Sequence, residues 1–181
     1  MKKFFLYLLE LVKIIVVAAV IVVPIRYFLF QPFFVRGESM NPNFESGDYL
    51  IVDEITYRFR PPQRGEVIVF KYPQNPSQRF IKRIIGLPGE TVEIKDGKVI
   101  IDRQGISQVL DESEYLLPGS STLGNIRITL GENEYFVLGD NRDFSFDSRK
   151  FGPLAKDEII GRVILRAWPF AALAKIEAPV Y

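Results

Sequence analysis

Residues 80–101 read Phe80-Ile81-Lys82-Arg83-Ile84-Ile85-Gly86-Leu87-Pro88-Gly89-Glu90-Thr91-Val92-Glu93-Ile94-Lys95-Asp96-Gly97-Lys98-Val99-Ile100-Ile101. Three short runs rich in β-branched residues, Phe80 to Ile85, Thr91 to Ile94 and Lys98 to Ile101, are separated by Pro88-Gly89 and Asp96-Gly97. Runs of that length and composition, punctuated by turn residues, predict strands and not helices. Asp96-Gly97 between two apolar runs predicts a tight hairpin.

The same pattern extends in both directions. Tyr49 to Val52 and Val67 to Phe70 precede the stretch, with turns at Ser46-Gly47-Asp48 and Arg64-Gly65; Asn125 to Leu130, Tyr135 to Leu138 and Ile159 to Trp168 follow it. Residues from about Asp96 to Leu130 are more polar and predict a subsidiary lobe inserted between two core strands. The expected fold is therefore mostly β from Val35 to Tyr181, and the one long helix expected lies at the amino terminus.

Composition narrows the chemistry. The 181 residues contain no Cys and no His and carry a formal net charge of +1. Disulfides, thiol nucleophiles and Cys- or His-ligated metals are excluded, and so is the commonest catalytic base. The scattered Lys and Arg form no basic stripe, so nucleic acid is not an expected partner. No EF-hand spacing and no Gly-rich phosphate loop is present, and neither metal nor cofactor is expected.

The amino-terminal 34 residues are apolar apart from Lys2, Lys3, Glu10, Lys13, Arg26 and Gln31. The uncharged centre, Ile14 to Ile25, has the length of a cleavable signal-peptide core, but no small-residue pair follows it. Leu11 to Phe30 as one helix gives about 30 Å, the thickness of a bilayer's hydrocarbon. An uncleaved single-pass anchor is the expectation, with residues 1–34 as cytoplasmic terminus and span. Lys2, Lys3 and Lys13 place the amino terminus in the cytoplasm, against the contrary charge of Arg26, and residues 35–181 outside the cytoplasmic membrane. Phe33, Phe34, Trp168 and Phe170 fit either lipid headgroups or the core.

Three segments carry candidate chemistry. Ser39 stands in Arg36-Gly37-Glu38-Ser39-Met40-Asn41-Pro42, a loop by its turn residues. In Phe80 to Ile85 the two-residue strand period puts Phe80, Lys82 and Ile84 on one face and Ile81, Arg83 and Ile85 on the other. Two readings of Lys82 stand open: an edge lysine with its ammonium in water, or an amine stripped of water. In the second, a pKa lowered from about 10.4 to about 8 would supply a neutral base near pH 7 at a cost of roughly 3 kcal/mol. The third segment, Gly139 to Arg149, packs three Asp, two Arg and two Ser into eleven residues after an apolar run. It reads either as an ion-paired surface loop or as support for a catalytic group.

Taken together, Ser39-Met40-Asn41-Pro42, Gly47-Asp48, Lys82-Arg83-Ile84-Ile85-Gly86-Leu87-Pro88-Gly89-Glu90 and Gly139-Asp140-Asn141-Arg142 through Asp147-Ser148-Arg149 resemble the ordered signature boxes of the type I signal peptidases. The resemblance covers roughly Val35 to Trp168 and the anchor. It implies a β-rich serine endopeptidase with a Ser-Lys dyad, Ser39 as nucleophile and Lys82 as general base. It further implies Ser145 as the hydroxyl that positions the lysine amine, Asp147 and Arg149 as a supporting ion pair, Met40 as the residue flanking the nucleophile and Gly139 as a glycine close to the centre. The implied substrates are secretory preproteins with small residues, often Ala-x-Ala, before the cut.

Two positions depart from that pattern. Asn43 replaces the usual Thr, and Gly37 stands where some members have a Ser whose hydroxyl helps bind the oxyanion. The oxyanion hole then rests on the Ser39 backbone N–H and a second donor in the Gly37 region or elsewhere. Alternatives carried alongside are a related Ser-Lys processing protease with another substrate and a membrane-tethered β-domain that binds without catalysis.

Overall fold

The computed structural model describes residues 2–28, 30–179 and 181, with the backbone alone for residues 2, 3, 5, 6, 21–28 and 30. It opens with α1, Lys2–Phe28, followed by β1 (Phe30–Phe34). The described side chains of α1 from Tyr7 to Val20 are exposed on every face. The sequence-predicted span Leu11 to Phe30 runs on into residues whose side chains lie outside the described set. Among the described residues no helix is long and apolar enough to cross a membrane.

The first four strands, β1, β2 (Tyr49–Asp53), β3 (Val67–Tyr72) and β4 (Asn75–Gly86), belong to a large sheet; the short α2 (Thr56–Phe59) lies between β2 and β3. The next four, β5 (Thr91–Lys95), β6 (Lys98–Arg103), β7 (Ile106–Val109) and β8 (Ile126–Thr129), form a separate sheet in the order β7-β6-β5-β8. The chain then returns to the large sheet with β9 (Glu134–Leu138), α3 (Ser148–Phe151), β10 (Leu154–Ala155), β11 (Ile159–Trp168) and β12 (Ala174–Lys175). The order in the large sheet is β1-β2-β11-β3-β4-β9-β10, with β12 beside β11. The small sheet thus departs from β4 and rejoins at β9. It starts at Thr91, ahead of Asp96, because β5 is the strand that both β6 and β8 pair with.

Local chemistry accounts for these elements. Asp96 and Gly97 both hold positive φ, 52° and 76°, the backbone a two-residue turn needs to match strand twist. Phe30–Phe34, which the sequence placed with the anchor, is instead an edge strand on β2. Its Pro32 has no N–H to give and is tolerated where one side of the strand is free.

In β4, Phe80 pairs with Phe70, Ile81 with Val69 and Lys82 with Ile68. Ile81, Val67 and Val69 join Val35, Met40, Phe44 and Val52 in one apolar layer. Ile68, Phe70 and Ile84 join Tyr135, Val137 and Leu154 in another, with Phe80 and Phe151 packed against it. A third layer lies under the small sheet and is closed by Ile85, Phe136 and Leu138 of the large one. The ends of β4 and β9 therefore join the two sheets, and the third candidate segment begins where β9 stops.

Candidate active site

Ser39 sits in a turn that leaves the sheet after Val35 and returns at Asp48. Val35 N–H donates to Asp48 O at 3.0 Å and Gly47 N–H to Val35 O at 3.0 Å, which closes the loop at its base. Met40 points inward, 1% exposed, and anchors the turn. The far side is tied to the loop after β9: Asn141 N–H donates to Ser39 O at 3.0 Å, and the Asn141 side-chain amide to Glu38 O at 3.0 Å.

Lys82 lies beneath this turn. Its Nζ is 2.7 Å from Ser39 Oγ and donates to Ile81 O at 2.8 Å. The residue is only 3% exposed, so of the two sequence readings the geometry fits the amine stripped of water. Burial lowers its pKa to about 8, with the carboxylates of Asp147 and Asp140 pulling the other way. Near neutrality a useful fraction of the amine is uncharged and able to accept a proton from Ser39.

Asp147 is fully buried and caps α3 by accepting from Arg149 N–H. Arg149 donates from Nε to Asp147 Oδ1 and from Nη2 to Oδ2, both at 2.9 Å, and Gly139 N–H donates to Oδ2 at 3.1 Å. Burial works to raise the Asp147 carboxyl, and Arg149, helped by the Ser145 hydroxyl and the Gly139 N–H, outweighs it and holds the group below the usual carboxylate range. Ser145 is buried beside Gly139; its hydroxyl leans towards the Asp147 carboxylate without reaching full hydrogen-bond geometry with any of the described residues, and Lys82 donates to Ser39 and Ile81 instead. Gly139 itself is required by space: a Cβ there would overlap Ser39 O and Ser145 Oγ. The Ser39 N–H makes no hydrogen bond among the described residues, whereas Gly37 N–H is 3.4 Å from Ser46 Oγ.

Several neighbouring residues had no role in the sequence reading. Arg83, next to Lys82 but on the opposite strand face, grips Asp140 through Nε–Oδ1 at 2.9 Å and Nη2–Oδ2 at 2.6 Å, and stacks over Tyr115. The Asn43 side-chain amide donates to Asp140 Oδ2 at 2.8 Å and to Tyr115 O at 2.7 Å, so Asn in place of Thr links the serine turn to the small lobe. Arg142 grips Glu112 at 2.6 and 3.0 Å and donates to Gly139 O at 2.9 Å. The signal for Arg83 was its alternation with Lys82. Nothing in the sequence pointed to Glu112, which is 30 residues from Arg142. Because breaking one partner of a buried pair leaves the other charge uncompensated, Asp140→Asn should destabilise the fold by about 3 kcal/mol, seen as a lower urea midpoint.

The pair opens into a cleft of about 710 Å³ lined by Pro32 to Phe34 of β1, Arg36 to Ser39, Ser77 to Lys82 of β4, Phe144 and Phe146. A hydroxyl against a buried amine at the end of an open groove can form an acyl-enzyme with a bound peptide.

Residues 8–168 match the family described as signal peptidase, peptidase S26. The chain belongs to that family. It is a serine endopeptidase of the signal peptidase I type. It is 39% identical over 180 residues to the signal peptidase I of Leptolyngbya laminosa, covering 95% of this chain and 85% of the relative. It is 34% identical over 154 residues to signal peptidase I V of Bacillus subtilis, covering 81% and 90%. A solved signal peptidase I from Enterococcus faecalis is 36% identical and superimposes with a TM-score of 0.47 over 57% of this chain and 97% of the other. Signal peptidase membership bears out the family read from the signature boxes, and the mostly β fold bears out the class read from residues 80–101.

Proposed function

We propose that this chain removes signal peptides from secretory preproteins through a Ser39–Lys82 dyad, on the outer side of the cytoplasmic membrane. The observation that carries the reading is the 2.7 Å contact between Ser39 Oγ and a buried Lys82 Nζ, in a chain without histidine.

Neutral Lys82 takes the Ser39 proton as Oγ attacks the scissile carbonyl. The developing oxyanion is met by the unengaged Ser39 N–H, with a second donor in the Gly37 region. As the tetrahedral intermediate collapses, the C–N bond breaks and Lys82 gives its proton to the departing amine of the mature chain. A water deprotonated by Lys82 then attacks the ester carbonyl, the C–Oγ bond breaks as Lys82 returns that proton to Ser39 Oγ, and the signal peptide leaves with a new carboxylate. Met40 orients the serine turn from below. Asp147, fixed by Arg149, holds the Gly139 backbone, and Ser145, buried beside Gly139, is assigned as the hydroxyl that steadies the Lys82 amine during turnover.

The substrate lies extended along two free strand edges. Among the described residues β1 pairs only with β2, and β4 is unpaired on its cleft side before Arg83, where β9 begins. Small residues before the cut, as in Ala-x-Ala, suit the floor of the cleft, where Ile81 is buried. The anchor is supported by the 27 residues of α1, about 40 Å of helix, and by exposed aliphatic side chains around its described part. With β1 following α1 almost directly, Ser39 is held within reach of the bilayer surface.

The test is cleavage of a preprotein ending in Ala-x-Ala, in detergent. Wild type should cut it and Ser39→Ala should not. For wild type, kcat/KM should rise with pH through about 8 and level above it, because Lys82 acts as the neutral amine. Cleavage by Ser39→Ala, or a profile flat across pH 6 to 10, would remove the dyad.

A further inference from the structure

The cleft has two unlike faces. On the Ile81 side of β4 it is closed by Ile81, which is buried in the same apolar layer as Val35 and Met40. On the Phe80 side it is open and aromatic. Phe146 lies 6.5 Å from Phe80, 5.8 Å from Tyr72 and 5.9 Å from Phe151, ring centre to ring centre, and is 44% exposed. Phe144 is 74% exposed on the same wall, and Ser145 between them turns inward. Half-buried aromatic partners, with the Lys150 ammonium 5.7 Å from the ring centre, hold Phe146 in place while leaving part of its ring free.

Side chains of an extended peptide alternate between faces with a period of two. If residues −1 and −3 before the cut enter the closed face, residue −2 projects to the other. The free edge of β4 runs from Asn75 to Ile81, on one side of Lys82 only, so the recognised residues before the cut lie beside Phe80 and its neighbour Phe146. We infer that Phe146, with Phe144 at the rim, forms a specificity shelf that selects a large apolar or aromatic side chain at position −2. This rests on the proposed signal-peptide cleavage and adds to it the identity of the middle residue of Ala-x-Ala.

The experiment compares preproteins ending in Ala-Phe-Ala, Ala-Gly-Ala and Ala-Asp-Ala, cut by the full chain in detergent. Wild type should favour Phe over Gly at −2 by about fivefold to tenfold in kcat/KM, the worth of one aromatic contact, and should disfavour Asp. Phe146→Ala should bring the Phe-to-Gly ratio near one, and Phe146→Leu should restore part of it. Phe144→Ala, a change at an exposed ring that leaves the aromatic cluster intact, should lower the ratio by a smaller factor. A wild-type ratio near one, or a ratio unchanged in both alanine variants, overturns the shelf while leaving cleavage itself in place. Failure of wild type to cut any of the three overturns the parent reading and the shelf together.

Discussion

Lys82→Met should abolish cleavage and make the protein more stable. Lys82 is 3% exposed, and its pKa is lowered from 10.5 to about 8, chiefly by burial. That difference corresponds to about 3 kcal/mol spent near neutral pH on keeping the group in the fold. Methionine fills a similar volume without charge, and such replacements often stabilise. The hydrogen bonds to Ile81 O and Ser39 are lost, at about 1 kcal/mol each, so the net gain should be about 1 to 2 kcal/mol. The pH dependence gives the effect its signature. Between pH 8 and 10.5 the unfolded chain holds the Lys82 proton and the folded chain does not, so wild-type stability climbs across that window. The advantage of Lys82→Met should therefore be greatest below pH 8 and shrink towards pH 10.5. Urea titrations of both proteins at pH 7 and pH 10 measure it; a destabilised variant at pH 7 would mean that the amine is not buried as a strained group.

Gly139→Ala should remove most of the activity by a purely steric route. The added Cβ would overlap Ser39 O and Ser145 Oγ and stand 2.6 Å from Ser145 Cβ. Two of those neighbours belong to elements held by hydrogen bonds: the serine turn through Asn141, and the loop through Asp147. Neither can yield alone, so Ser39 moves relative to Lys82. A displacement near 1 Å costs on the order of 10²-fold, and kcat/KM should fall by about 10² to 10³. Overpacking should add about 3 kcal/mol of destabilisation. Paired measurements of kcat/KM and the urea midpoint separate the two effects. Near-normal activity would show that Ser39 does not rest against Gly139.

How far these features could be read from the chain differs from part to part. The strands of residues 80–101 were legible because β-branched runs and the Asp96-Gly97 turn are local signals. Lys82 was legible as a member of an apolar strand face, but whether its amine met water or Ser39 depended on a loop 43 residues away. Phe30–Phe34 was misplaced because its apolar content continues that of the helix, and only pairing with β2 marks it as a strand. The 139–149 segment advertised ion pairs by its density of charge. Their partners stayed hidden wherever they lay across the fold, as with Glu112 for Arg142 and Arg83 for Asp140.

Strand β4 holds two cations in succession, each turned to a different side. In the proposed mechanism Lys82 serves the reaction, while Arg83 binds Asp140 and, by stacking on Tyr115, secures the small lobe. Were the strand to settle one place out of step, a guanidinium that keeps its proton at any ordinary pH would stand beneath the serine, and the amine would point into the apolar layer that Ile81 fills. Such a chain would be proteolytically silent. Turnover would then report a sheet closed in the right alignment.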